Sequence, residues 1–139
     1  MASNTFPIPV PMLGYAGKNE YIAFNHRVVI TAAGAIASQD AAVDTCVVAV
    51  KTAAKTGRYT LTVGGGRRFK QFRGGRVGIV GLTDAIYGAN TVGYDHHWRN
   101  DLLASAGTVE VQFTQNGSNA DAEVPSGMVL NIEFLVKVK

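Results

Sequence analysis

Residues 128–138 read MVLNIEFLVKV, and this stretch decides the fold class. Every second residue from Met128 to Val138 is apolar, whereas Asn131, Glu133 and Lys137 lie at intervening positions. Alternation with a period of two is typical of a β-strand that buries one face and exposes the other. The stretch therefore predicts a long strand with one face in a hydrophobic core.

Further segments of strand length precede it. Glycine, proline and asparagine turn signals separate these segments, and the 16 glycines favour turns and bulges over long helices. Only residues 32–42 and 82–89 are expected to hold a short helical turn. The other candidate strands are residues 21–31, 45–51, 58–63, 76–82 and 109–113. This spacing predicts an all-β fold, an antiparallel β-sandwich or barrel of jelly-roll-like type, as a single domain over residues 20–139.

The first 19 residues are predicted to form an extended N-terminal arm. Its apolar part alternates proline with hydrophobic residues and carries no charge. Proline fixes φ and lacks an N–H donor, which favours an extended, polyproline-like segment over a ladder strand. We expect this arm to bind a neighbouring molecule, with docking on its own sheet as the alternative. The residues concerned are Phe6, Pro7, Ile8, Pro9, Val10, Pro11, Met12 and Leu13.

Composition points to a protein with much of its surface in contacts. Charged residues make up 17% of the chain, against about 25% in a typical soluble domain. Cys46, the single cysteine, excludes an intrachain disulfide and lies in an apolar run, where a buried, inert thiol is expected. The N-terminal residues lack a signal-peptide pattern, and no stretch approaches the ~20 apolar residues of a membrane span. We therefore expect neither secretion nor a membrane partner.

Charge is segregated along the chain. Residues 51–76 contain eight bases and no acid, whereas residues 100–136 contain five acids and no base. Such segregation predicts a basic surface and an acidic surface that each attract opposite charge. We expect the 51–76 region of one copy to contact the 100–133 region of the next, as in a closed ring such as a trimer.

The basic segment GGGRRFKQFRGGR, residues 64–76, is the clearest candidate interface. Its cations suit either phosphates or an acidic protein surface, and Phe69 and Phe72 would stack on bases in the first case. The two phenylalanines are three residues apart, so a regular strand would place them on opposite faces. A bulge or one exposed phenylalanine is therefore predicted. We favour protein contact through Arg67, Arg68, Lys70, Arg73 and Arg76.

Two further segments are interface candidates. The sequence YDHHWRND at residues 94–101 is interpreted as an aromatic loop that contacts a neighbour through Tyr94, His97, Trp98 and Arg99. A metal site is not predicted there, because the adjacent His96 and His97 would point to opposite sides of a strand. Asp121 and Glu123 are interpreted as an acidic interface. No nucleophile–base set or cofactor motif stands out, so we expect no enzyme and no cofactor.

Three stretches together resemble small β-rich structural proteins of tailed-bacteriophage heads. They are RFKQFRGG at 68–75, VGIVG at 77–81 and NADAEVPSG at 119–127, within a similarity that covers roughly residues 28–138. The resemblance implies a capsid decoration, or cement, protein: non-enzymatic, often trimeric, and seated on the shell of the major capsid protein. It implies synthesis in the host cytoplasm and a location on the capsid surface of the virion. The proline-rich arm departs from many β-tulip decoration proteins.

Two alternative functions remain open from the sequence. One is a single-stranded nucleic-acid-binding or coat protein that uses residues 64–76. The other is a receptor- or carbohydrate-binding head-fibre module that stacks on Tyr87, Tyr94 and Trp98.

Overall fold

Two four-stranded antiparallel sheets pack face to face in the computed structural model, which describes residues 21–64, 69, 71–81, 94–117 and 119–137. The strand order is β2-β1-β8-β5 in sheet A and β3-β4-β7-β6 in sheet B. The strands are β1 (Tyr21–Ile30), β2 (Ile36–Gln39), β3 (Val47–Lys51), β4 (Arg58–Val63), β5 (Gln71–Gly81), β6 (Tyr94–Arg99), β7 (Thr108–Gln115) and β8 (Met128–Lys137). The all-β prediction is confirmed, as a sandwich.

Strand β8, the stretch with the clearest alternation, lies in the interior of sheet A. It pairs with β1 over Tyr21 to Val29 and with β5 over Gln71 to Gly81. Its alternate residues Leu130, Ile132 and Val136 are fully buried. Burying each such side chain contributes about 1.5–3 kcal/mol, so this one strand supplies a large part of the apolar driving force.

The last four strands form a Greek key that spans both sheets. Strand β8 returns beside β5, while β6 pairs with β7 in the opposite sheet. The edges of β5 and β6 meet through aromatic packing, because the ring centroids of Phe72 and Trp98 are 5.1 Å apart. The two sheets are therefore fastened to each other on this side by side chains.

A polar network fastens the opposite side of the sandwich, between β2 and β3. The Gln39 side chain donates from Nε2 to the Ala49 carbonyl at 2.9 Å and accepts from the Ala49 N–H at 2.8 Å. Its oxygen also accepts from His26 Nε2 at 2.8 Å, and His26 Nδ1 is hydrogen-bonded to Thr45 Oγ1 at 2.8 Å. His26 is fully buried. Gln39 thus takes the place of a neighbouring strand for the edge of β3.

The secondary structure of the described residues differs from the prediction mainly in its short elements. Residues 32–42, expected to hold a helical turn, contain a 3-10 turn at Ala32–Gly34 and then strand β2. Strand β2 has only four residues, too few for a period to show. Two further helical turns lie at Ala42–Thr45 and Leu103–Ala106, and no helix in the described part of the chain is long and apolar enough to cross a membrane. The N-terminal arm and residues 82–89 lie outside the described residues.

Candidate interaction surfaces

The outward side of β1, β8 and β5, called face A here, combines apolar and basic side chains. The exposed fractions of Tyr21, Val80 and Leu135 are 47%, 48% and 37%, high values for large hydrophobic residues. Antiparallel register places the face in rows: Tyr21, Lys137 and Gln71 form one row, and Ala23, Leu135 and Gly74 form the next. The following rows are Asn25, Glu133 and Arg76, and then Arg27, Asn131 and Gly78.

A shallow groove of about 350 Å³ crosses the middle of face A. Its lining residues come from three strands: Ala23–Asn25, Gly74–Arg76 and Glu133–Leu135. A β-bulge at Arg73 shifts the register between Phe72 and Gly74, and Gly74 takes the positive φ of 111° that this bulge requires. A Cβ built at Gly74 would meet no atom within 4 Å, so the missing side chain leaves the groove open.

Within the described residues, three cations of face A form no ion pair, although the Asp40 carboxylate accepts from the Arg27 backbone N–H at 3.1 Å. Arg76 pairs with Glu133 at 3.3 Å, but no described carboxylate pairs with Arg27, Arg73 or Lys137. Arg73 lies over the Tyr21 ring at 5.7 Å from its centroid, a cation–π contact on this face. The face is therefore basic after its one ion pair is discounted. Of the predicted basic interface, Arg73 and Arg76 lie here, and Arg67, Arg68 and Lys70 lie outside the described residues.

The outward side of sheet B, called face B here, has the opposite residual charge. Two of its bases are neutralised, because Arg58 pairs with Asp121 at 3.6 Å and Arg99 pairs with Asp101 at 2.7 Å. The Arg99 hydrogen bond lowers the pKa of the Asp101 carboxyl. Of two further carboxylates of this face, Asp95 forms no ion pair with a described base, and Glu110 lies opposite Arg99 in the β6–β7 register, where, after the Asp101 hydrogen bond, its charge helps to raise the pKa of Arg99. Face B is therefore acidic.

The two acids of the predicted acidic interface, Asp121 and Glu123, form ion pairs within the chain, and their contact with a second copy stays a prediction. Glu123 accepts from Lys51 Nζ at 2.9 Å and from the Gly57 N–H at 2.5 Å. Asp121 pairs with Arg58 and accepts from Gln112. The 51–58 turn lies against residues 121–123, so acids and bases distant in sequence meet in one molecule. At these positions, basic and acidic residues that are separated along the sequence are paired with each other in the folded chain.

Residues 94–99 form the edge strand β6, which corrects their interpretation as an interface loop. Trp98 packs into its own sandwich, with ring centroids 5.1 Å from Phe72 and 5.9 Å from Phe134. Trp98 and Tyr94 are partly buried against the core, and the contact of these residues with a neighbour stays a prediction. His97 and Arg99 are exposed on face B. His96 and His97 lie on opposite sides of the strand, as predicted.

The two phenylalanines of the basic segment both point inward. Phe69 is fully buried, with its ring centroid 5.7 Å from that of Phe24, and Phe72 stacks on Phe134 at 6.0 Å. The predicted bulge is present, at Arg73, one residue after Phe72. The Phe69 ring is therefore not free to stack on a base, whereas Phe72 is partly buried against the core. Of the residues named in the carbohydrate alternative, Trp98 and Tyr94 are partly buried, and Tyr87 lies outside the described residues.

The described residues contain no group of three or more His, Cys, Asp or Glu side chains placed to hold a metal ion. Comparison with protein-family models, curated proteins and solved structures found no match for the chain. The case for a function therefore comes from the surfaces themselves.

A buried tyrosine hydroxyl, that of Tyr59, lies close enough to the partly exposed Glu123 to be affected by its charge. The Tyr59 hydroxyl, fully buried, donates to the Gly34 carbonyl at 2.6 Å and so ties β4 to the turn after β1. Burial, reinforced by the negative charge of Glu123, raises the pKa of Tyr59 far above the ordinary tyrosine value of about 10. The folded protein keeps this proton at a pH where the unfolded chain has lost it. Its contribution to stability is full below about pH 10 and declines as the pH rises further.

We expect Tyr59→Phe to lower the free energy of unfolding at neutral pH by about 1 kcal/mol, because the hydrogen bond to Gly34 is lost. The difference from the unsubstituted protein should shrink above about pH 10, since only the latter loses the tyrosine contribution. Urea unfolding at a series of pH values from neutral to alkaline measures this. Tyr21→Phe, at an exposed tyrosine, is the control. A difference that stays constant with pH contradicts the assignment.

Proposed function

We propose that the chain is a structural, non-enzymatic virion protein that binds the outside of a phage capsid and stabilises it as a homo-oligomer. The observation that carries this proposal is face A, on which exposed large hydrophobic side chains lie beside cations that form no ion pair within the described residues. Aromatic residues and arginine around an apolar centre are typical of protein–protein interfaces. The low charge content of the chain supports the same conclusion.

Stabilisation follows from mass action. A protein that binds only the assembled shell lowers the free energy of that shell relative to its disassembled subunits. Many copies, each with modest contacts, add their contributions across one lattice, and a body joined to an arm gains further through effective concentration. No chemical step is required of the chain, and a rigid sandwich held by side-chain links on both edges suits the role.

Binding to capsid shells tests the proposal directly. Undecorated shells of the phage that encodes the chain are mixed with the purified, nuclease-treated protein and sedimented, and their disassembly temperature is measured with and without it. We expect co-sedimentation and a higher disassembly temperature. Failure to bind shells, together with salt-sensitive binding to a single-stranded oligonucleotide, supports the nucleic-acid alternative instead.

The N-terminal arm is expected to contribute to this binding. In the full-length chain, Ile8→Asp together with Val10→Asp places charge in the apolar run and should weaken shell binding on the order of 100-fold. This estimate assumes loss of about 1.5–3 kcal/mol per buried apolar side chain. Ser3→Asp together with Asn4→Asp adds the same charge outside the run and should bind normally. Equal binding by both variants would show that the arm does not attach the protein.

A further inference from the structure

The two outward faces of the sandwich differ in residual charge, and this difference gives the molecule an orientation. Among the described residues, the Arg27, Arg73 and Lys137 side chains of face A form no ion pair, whereas on face B Asp95 forms none and the only base that Glu110 faces is Arg99, which is already paired with Asp101. The faces lie on opposite sides of one rigid body, so a single flat partner contacts one of them at a time. We propose that face A is the shell-contacting face and that its partner is an acidic protein surface with an apolar centre. This inference rests on the proposed function.

The arrangement of charges on face A defines that partner further. Lys137 and Arg73 lie near one end, and Arg27 lies six residues along β1 from Tyr21, about 20 Å away at ~3.3 Å per residue. Between them runs the row of Ala23, Leu135 and Gly74, which lines the groove. A complementary surface therefore presents an apolar protrusion with carboxylates on both sides. Interfaces with an apolar centre and a charged rim have this pattern.

The N-terminal arm is expected to bind the same shell as face A. Residues 1–19 precede strand β1, whose first residue, Tyr21, is exposed on face A. Two attachments of one molecule to one shell reinforce each other, because each raises the effective concentration of the other.

The composition of face A favours protein over nucleic acid as the partner. Its cations are separated by apolar rows, and Arg76 is already paired with Glu133. A surface that follows a phosphate backbone has closely spaced cations and, for single strands, exposed aromatic platforms. Tyr21 is the single exposed aromatic ring among the described residues of face A, and Arg73 covers it.

Area sets the expected strength of the contact. Three strands at ~4.8 Å spacing, each about 30 Å long, present roughly 400–450 Å² on face A, so about 900 Å² is buried when both partners are counted. This lies below the range of stable, isolated complexes. We therefore expect one copy of the body to bind weakly and with strong salt dependence, since exposed charges are screened by added salt.

Matched charge reversals test the orientation in the full-length protein. The face A variant carries Arg27→Glu and Arg73→Glu, and the face B variant carries Asp95→Lys and Glu110→Lys. We expect the face A variant to lose shell binding on the order of 100-fold, because like charges then oppose each other, and the face B variant to keep it. Thermal unfolding of both variants checks that each still folds.

The outcomes separate this inference from the proposed function. Equal shell binding by both variants, or loss only in the face B variant, overturns the orientation but leaves the function standing. Failure of the unsubstituted protein to bind shells removes the function itself. Loss of oligonucleotide binding by the face A variant, with shell binding intact, assigns face A to nucleic acid and also overturns the inference.

A second pair of variants tests the apolar part of the contact. Leu135→Asp places a charge in the centre of face A, and Val50→Asp places one on face B, where Val50 is 56% exposed. We expect the first to weaken shell binding about tenfold or more, since an unpaired charge is then desolvated, and the second to leave it unchanged. The opposite ranking of the two variants contradicts the proposal.

Discussion

Replacing Gly75 by alanine is expected to lower the free energy of unfolding by about 2–3 kcal/mol, the usual cost of overpacking a close-packed site. A Cβ at this position would lie 2.6 Å from Trp98 Cζ2, 2.7 Å from the Glu133 carbonyl oxygen and 2.9 Å from Phe134 Cβ. The Trp98 ring is able to shift, but the Glu133 backbone is held by the β5–β8 ladder. Relief therefore requires a change in the ladder itself.

Gly78 provides the matched control, because it lies in the same strand and also pairs with β8. A Cβ there would meet only Asn131 Cβ, at 3.9 Å, which is ordinary contact. The free energy of unfolding of Gly78→Ala should therefore lie within about 0.5 kcal/mol of that of the unsubstituted protein, since glycine in a strand has no packing advantage over alanine. Chemical denaturation of both variants, followed by Trp98 fluorescence, measures the contrast. If both variants were destabilised equally, the need for glycine at both positions would come from strand flexibility and not from the close approach of neighbouring atoms at Gly75.

The contrast bears on function because Gly75 and Gly74 belong to the two sides of one strand. Gly75 admits Trp98 to the core, and Gly74 opens the groove on face A. Gly75 is thus explained by packing on one side of the strand, and Gly74 by surface shape on the other.

The sequence was most informative where a strand has one buried face over many residues. Strands β1, β4, β7 and β8 alternate in burial as the apolar period predicts. Strand β6 was not predicted, although Tyr94, His96 and Trp98 alternate with Asp95, His97 and Arg99, because histidine at an inward position gives only a weak apolar pattern. His26 also occupies an inward position, in β1, and is fully buried.

The candidate surfaces were harder to predict than the fold. Which charges remain unpaired depends on contacts between segments far apart in sequence, such as Lys51 with Glu123 and Arg76 with Glu133. Strand order determines these contacts, and no local pattern encodes strand order. The basic and acidic segments were therefore correctly identified as charged regions, but their partners were assigned to a second molecule when several lie in the same one.

Replacing Gln39 by leucine is expected to cost more than any other single change considered, about 3–5 kcal/mol. The substitution keeps most of the side-chain volume but removes every hydrogen bond that Gln39 makes. The Ala49 N–H, the Ala49 carbonyl and His26 Nε2 then lose their partner, and both residues are at least 98% buried. Each unsatisfied buried group costs about 1–3 kcal/mol.

The control is Ser38→Ala, one position earlier on the exposed side of β2. Its free energy of unfolding should equal that of the unsubstituted protein. A double substitution, Gln39→Leu with His26→Leu, removes one of the three orphaned groups along with its partner. Its destabilisation should be smaller than the sum of the two single effects, because residues in one network are not additive. Additive effects, or a Gln39→Leu variant as stable as Ser38→Ala, contradict a role for Gln39 in closing the sandwich.

The size of this effect follows from where Gln39 lies. Strand β3 is an edge of sheet B, and the Ala49 backbone groups that Gln39 satisfies are those not used by β4. An unpaired edge invites pairing with another chain. Gln39 uses one side chain to occupy that edge, so its loss should also make the protein prone to self-association through β3. Light scattering during the unfolding experiment would detect this as an increase in mass at concentrations where the Ser38→Ala control is unchanged.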